Sequence, residues 1–175
     1  LAYASGYDSQ NWNVSALAPQ KRLPPMSAAD ANLPHVLFLC TGNSCRSQMA
    51  EGWGRELLAD RYQFYSAGIE AHGLNPNAVE VMRESGVDIS GQRSQTLEEI
   101  DRELGLEKLN IVITVCGHAD ENCPVLPINC TKHHMPFDDP PKLAKEAATP
   151  EEAMSHYRRV RDEIREQVAK LPEIL

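Results

Sequence analysis

The chain has 175 residues, enough for one domain with its own core, and 17 basic against 25 acidic side chains leave a net charge of -8. No stripe of Lys or Arg could track a phosphate backbone, and no apolar run approaches the ~20 residues of a membrane-spanning helix. Nucleic-acid binding and membrane insertion are therefore set aside.

Residues 1-33 scatter Asn, Gln, Ser, Ala and Pro without periodicity and are read as a flexible N-terminal extension, with 1-25 an upstream or appended segment. There is no basic start followed by an apolar h-region, so a secretory signal is not expected and the protein is placed in the cytoplasm. The five cysteines are an odd set and are expected to rest there as thiols.

The catalytic domain is expected over residues 34-175. Val36 to Leu39 is an apolar run ending in Cys40, which predicts a buried strand feeding a loop. From Ser44 to about Ala59, Met49, Ala50, Trp53, Leu57 and Leu58 recur at helical spacing, while Arg46, Glu51, Arg55 and Glu56 fall mostly elsewhere; Gly52 and Gly54 permit close packing on a sheet. Residues 62-67 suit a second strand, Asn75-Pro76 caps a helix running through Ser85, and Glu98 to Leu104 is a short helix. The β-branched run from Asn110 to Val115 predicts a third strand ending at Cys116, and a weaker fourth is placed near Ile128 to His133. Thr149-Pro150-Glu151-Glu152 opens a last helix with the apolar seam Met154, Tyr157, Val160, Ile164 and Val168. The alternation predicts an α/β domain: a four-stranded parallel sheet with helices on both faces, its active groups at the carboxyl ends of the strands.

The segment Cys40-Thr41-Gly42-Asn43-Ser44-Cys45-Arg46-Ser47 joins strand to helix as C-x5-R-S. Amides at a helix N-terminus bind a tetrahedral dianion, and Arg46 offers a planar fork to two of its oxygens. Gly42 allows close approach or positive φ. The same field favours a thiolate at Cys40, to which Ser47 can donate, so the nucleophile needs no neighbouring base. Cys45 is read as a packing residue.

Extended to Gln48-Met49-Ala50-Glu51-Gly52-Trp53, this loop closely resembles that of the thioredoxin-coupled arsenate reductases, related in fold to low-molecular-weight tyrosine phosphatases. Tyr65 to Glu70 and Phe137-Asp138-Asp139-Pro140 add to the resemblance, which spans about residues 34-170. The phosphatases usually carry proline where this chain has Gln48. Cys116 to Pro124 looks like the family's redox segment, whose second and third cysteines lie seven positions apart, as Cys116 and Cys123 do. The resemblance implies that Cys40 attacks arsenate, Cys116 attacks Cys40 and releases arsenite, and Cys123 attacks Cys116, leaving a disulfide for thioredoxin to reduce. One disulfide supplies the two electrons. A bridge needs Cα atoms within ~7 Å, whereas seven helical residues span ~10.5 Å, so any helix between these cysteines unwinds during turnover.

Asp139, before Pro140, is expected to be the general acid, with Asp138 its competitor. Pro141 stands where the phosphatases usually place an aromatic residue. A metal site built from Cys116, Cys123, Cys130, His118, His133 and His134 lacks the short spacings of structural zinc; the histidines are read as loop or surface residues and Cys130 as a spare thiol. Some family members hold potassium through residues matching Asn43, Glu51 and Ser66, but Arg93 and Gln95 replace their threonine and aspartate. That site is expected to be absent or weak, with Asn43 ordering the loop instead. No cofactor is expected, and the protein is expected to be a monomer. The alternatives are a low-molecular-weight phosphatase, a reductase coupled to another small thiol and, more distantly, a nonenzymatic oxyanion- or metal-binding module.

Overall fold

The computed structural model describes residues 33-121 and 130-175. The expected N-terminal extension and Cys123 lie outside the described residues, as do residues 128 and 129 of the expected fourth strand.

Strand β1 (His35–Cys40) is buried from Val36 onward, because it lies in the sheet interior with β2 (Gln63–Gly68) on one side and β3 (Leu109–Thr114) on the other. All pairings are parallel, β4 (Thr131–His134) adds to β3, and the order is β2-β1-β3-β4. A strand covered on both faces needs a continuous apolar run, which Val36-Leu37-Phe38-Leu39 supplies. The chain steps from β1 outward to β2, then back across β1 to β3. Right-handed crossovers in opposite directions put helices on opposite faces and open a crevice between the ends of β1 and β3. Cys40 and Cys116 occupy those two ends.

Helix α1 (Arg46–Leu58) starts two residues later than its periodicity predicts, because Asn43 has φ 44° and Cys45 the non-helical pair φ -128°, ψ -80°. Its glycines seat it on its neighbours: a Cβ on Gly54 would stand 2.6 Å from the Phe64 ring, and one on Gly52 would stand 2.5 Å from Ile89. Glu51 is buried, contrary to its assignment to the polar side. In α2 (Pro76–Glu84), Asn75 accepts from the amides of Asn77 and Ala78. Helix α3 (Leu97–Glu103) opens with a capping box between Thr96 and Glu99, and α4 (Gly117–Glu121) begins directly after Cys116.

Sequence periodicity misses α5 (Pro140–Glu146), since Asp-Pro-Pro reads as a loop. Prolines at the first two helical positions cost nothing, because those amides have no intrahelical acceptor. Helix α6 (Pro150–Ala169) buries Tyr157, Val160, Ile164 and Val168 of the expected seam, the three aliphatic ones worth ~1.5–3 kcal/mol each, while Met154 is only partly buried, and α7 (Leu171–Ile174) closes the domain. His133 and His134 belong to β4 rather than to a loop, with His134 Nδ1 2.9 Å from Thr114 Oγ1. No helix among the described residues is long and apolar enough to cross a membrane.

Candidate active site

The loop from Cys40 to Arg46 is shaped from behind. Its carbonyls at Cys40, Thr41, Gly42 and Ser44 accept from the amides of Ile69, Glu70, His72 and Asn75 at 3.2, 2.9, 2.9 and 2.9 Å. In a trans peptide, each carbonyl points opposite to the following N–H, and no cis bond occurs among the described residues. Holding these carbonyls towards the 69-75 segment therefore turns the amides of Thr41, Gly42, Asn43 and Cys45 to the other side. One of them shows the effect directly: Asn43 N donates to Cys40 Sγ at 3.1 Å.

Asn43, rather than Gly42, takes the left-handed backbone, a conformation asparagine tolerates better than most residues. Gly42 instead provides close approach, since a Cβ there would stand 2.3 Å from His72 Nδ1. The Asn43 side chain is fully committed. Its Oδ1 accepts from Gln95 N at 2.8 Å and Gln48 Nε2 at 3.0 Å, and its Nδ2 donates to Ser47 Oγ at 2.9 Å and Ser66 Oγ at 2.8 Å. The backbone donor Gln95 N fixes which way this amide is turned. Ser66 passes its own proton to Glu51. Ser47 Oγ also lies 2.9 Å from Cys40 Sγ, and towards a thiolate, which has no proton, its hydroxyl is the donor. Two donors then face the sulfur and stabilise negative charge on it.

Gln48, Glu51, Ser66, Gln92 and Gln95 support this network. Gln92 Nε2 donates to Gln48 Oε1 at 2.7 Å, and Gln95 Nε2 donates to Ser66 O at 3.0 Å. The Glu51 carboxylate is taken by Ser66 and by Arg55 at 2.6 Å. A potassium ion needs oxygen lone pairs, whereas N–H donors and a guanidinium already hold these oxygens; the residues do not fit the ion. Replacing sodium by potassium at constant ionic strength is expected to leave the melting temperature unchanged, and a potassium-specific rise in it would count against this.

Burial pushes the Glu51 carboxyl above its ordinary value, opposed by Arg55 and the Ser66 hydrogen bonds. A carboxyl raised on folding contributes stability that is complete below its unfolded value and is lost as pH rises through the folded one. Relative to Glu51→Gln, the wild type is expected to lose stability as pH climbs above about 4.5. Paired thermal melts across pH test this, and a difference independent of pH would contradict it.

Arg46, the first residue of α1, donates to Phe137 O at 3.1 Å and meets Asp139 Oδ1 at 3.2 Å. Asp138 turns away to Arg159 at 2.9 Å. Of the two aspartates, Asp139 therefore faces the anion loop. It lines a cleft of about 390 Å³ together with Cys40, Thr41, Ser44, Arg46, His72 and Asn75. Cys45 also borders the cleft but is 5% exposed, and burial pushes its thiol far up, as suits a packing residue.

Cys116 is buried two residues past the end of β3, with Sγ 3.4 Å from Thr41 Oγ1 in the loop. The structure thus brings together Cys40, Cys116, Arg46, Ser47 and Asp139. Cys130 stands apart, half-buried before β4, and no group of three or more His, Cys, Asp or Glu among the described residues could hold a metal ion. Sequence reasoning missed His72, Gln92 and the clasping role of segment 69-75; the only local signal was Gly42, which implied a close neighbour without naming it.

Residues 35–175 match the family model for low molecular weight phosphotyrosine protein phosphatase. The chain is 55% identical over 138 residues to an arsenate reductase of Halalkalibacterium halodurans and 49% identical over 138 residues to one of Bacillus subtilis, in each case over 79% of this chain and 94% of the relative. Among solved structures, an arsenate reductase in the phosphate-binding state superposes with a TM-score of 0.63 at 31% identity, covering 79% of this chain and 96% of that one. A low molecular weight protein tyrosine phosphatase from T. tengcongensis gives a TM-score of 0.60 at 27% identity, covering 81% and 99%.

Proposed function

The chain belongs to the low molecular weight phosphotyrosine protein phosphatase family, and we propose that it reduces arsenate to arsenite through Cys40, Cys116 and Cys123. The observation that carries this reading is the second thiol: Cys116, buried beside the anion loop and against Thr41, has no task in phosphate-ester hydrolysis. The 55% identity to an arsenate reductase supports it.

The amides of the loop and the Arg46 guanidinium hold the arsenate dianion, and the Cys40 thiolate attacks arsenic. Asp139 protonates the departing oxygen, which leaves as water. Cys116 then attacks Cys40 Sγ. The electron pair of the sulfur–arsenic bond passes to arsenic, which leaves as arsenite, and a Cys40–Cys116 disulfide remains. Adjacent parallel strands run ~4.8 Å apart, so the ends of β1 and β3 suit this bridge. Cys123 attacks Cys116 Sγ and expels the Cys40 thiolate. Thioredoxin, a dithiol of low potential, reduces the resulting Cys116–Cys123 disulfide in the cytoplasm, where thiols are kept reduced. The protein acts as a monomer and needs no cofactor.

A second reading has its own support, since Cys40, Arg46 and Asp139 are the groups phosphoryl transfer also needs. Weak phosphatase activity is a property of the same cleft. Pro141 borders the cleft where an aromatic side chain would hold an aryl ester. The deciding assay is arsenate-dependent NADPH oxidation with thioredoxin and thioredoxin reductase, comparing wild type with Cys40→Ser, Cys116→Ser and Cys123→Ser. Cycling that survives loss of Cys116 and of Cys123 would return the chain to the phosphatase or small-thiol reading.

A further inference from the structure

The 69-75 segment gives the cleft one ionisable side chain that neither the nucleophile nor the acid uses. His72 is pinned through its backbone N–H to Gly42 O, and its imidazole lies across the Gly42 Cα. Its Nε2 is 2.6 Å from Glu70 Oε2. With that proton committed to the carboxylate, Nδ1 is the nitrogen left over the loop. The ring borders the same cleft as Cys40, Arg46 and Asp139 and is 54% exposed, so an entering anion reaches it from solvent. The charged or titratable groups around it are Glu70 on its own segment, Cys40 in the loop, Arg46 on α1 and Asp139 ahead of α5. Arg46 is held by Asp139 and Phe137 O of the acid loop.

We propose that His72 is a second cationic ligand of the oxyanion, oriented by Glu70 and donating from Nδ1 to a substrate oxygen outside the fork of Arg46. The inference rests on the arsenate reading above. A charged donor to an oxygen outside the Arg46 fork adds affinity for the anion. It acts on binding rather than on the chemical step, so its loss raises KM and leaves kcat nearly unchanged.

The test compares wild type, His72→Gln, which keeps an N–H of similar reach but no charge, and His72→Lys, which keeps the charge. The arsenate KM of His72→Gln is expected to rise ~10-fold with kcat within about twofold. His72→Lys is expected to restore KM. An unchanged KM in His72→Gln overturns the proposal, as does a loss confined to kcat that His72→Lys does not repair.

Protection of Cys40 from iodoacetamide by inorganic phosphate, measured on the same three proteins, reads anion binding without turnover. If wild type reduces no arsenate while His72→Gln weakens phosphate protection, the arsenate reading fails and the His72 ligand stands. If arsenate turns over but neither KM nor protection moves, the His72 ligand fails alone. Absence of both turnover and protection overturns both.

Discussion

Cys40→Ser is expected to abolish arsenate reduction, lowering turnover by ~10⁴-fold or more, because a hydroxyl in place of the thiolate leaves no nucleophile and no electron pair to give. The structure explains why the loss is this large: the donors that face Cys40 Sγ, Asn43 N at 3.1 Å and Ser47 Oγ at 2.9 Å, stabilise a sulfur anion that serine at neutral pH does not form. The other cysteines fail at different stages. Cys116→Ser is expected to release no arsenite, since the sulfur–arsenic bond has no attacking thiol. Cys123→Ser is expected to release about one arsenite per enzyme and then stop, holding a Cys40–Cys116 disulfide. Arsenite measured in a single turnover, with mass spectrometry of the trapped proteins, distinguishes these stages; steady cycling by Cys123→Ser would remove the third cysteine from the scheme.

Asp139→Asn is expected to lower kcat by ~10²–10⁴-fold, the usual contribution of a positioned general acid. Its effect on KM should run the other way. Asp139 meets Arg46 at 3.2 Å and so competes with the substrate for the guanidinium. Asparagine withdraws that negative charge, and KM for arsenate is expected to fall. Asp138→Asn removes only the half-exposed pair with Arg159, worth ~0–1 kcal/mol, and kcat should stay within about twofold of wild type. Equal losses in the two variants would mean that loop geometry, rather than the Asp139 proton, carries the effect.

The elements legible in the sequence were those whose signals are local. Val36 to Leu39 is an unbroken apolar run and Ile111 to Val115 an unbroken β-branched one, Asn75-Pro76 and Thr149-Pro150 are caps followed by proline, and C-x5-R-S compresses the anion loop into eight positions. The supporting network has no such signature. Asn43 meets Ser66 and Gln95 across 23 and 52 residues, and Gln48 meets Gln92 across 44, through bonds that no periodicity encodes. Glu51 was grouped with the charged residues that fall mostly off the apolar spacing of its helix; its burial depends on Arg55 beside it and Ser66 on the next strand. His72 looked like any loop histidine until the fold laid it across Gly42.

The clasp behind the loop ties the stability of the fold to its catalytic power. Amide dipoles turned to the same side of the loop repel each other, and the four carbonyls held by residues 69-75 keep them so turned. That repulsion is a standing tax on the folded state, and arsenate lifts it by supplying the missing negative charge. Loosening the clasp would let the dipoles relax and would shift their reorganisation into each catalytic cycle. Substitutions near this segment that make the empty protein more robust therefore risk making it a slower enzyme.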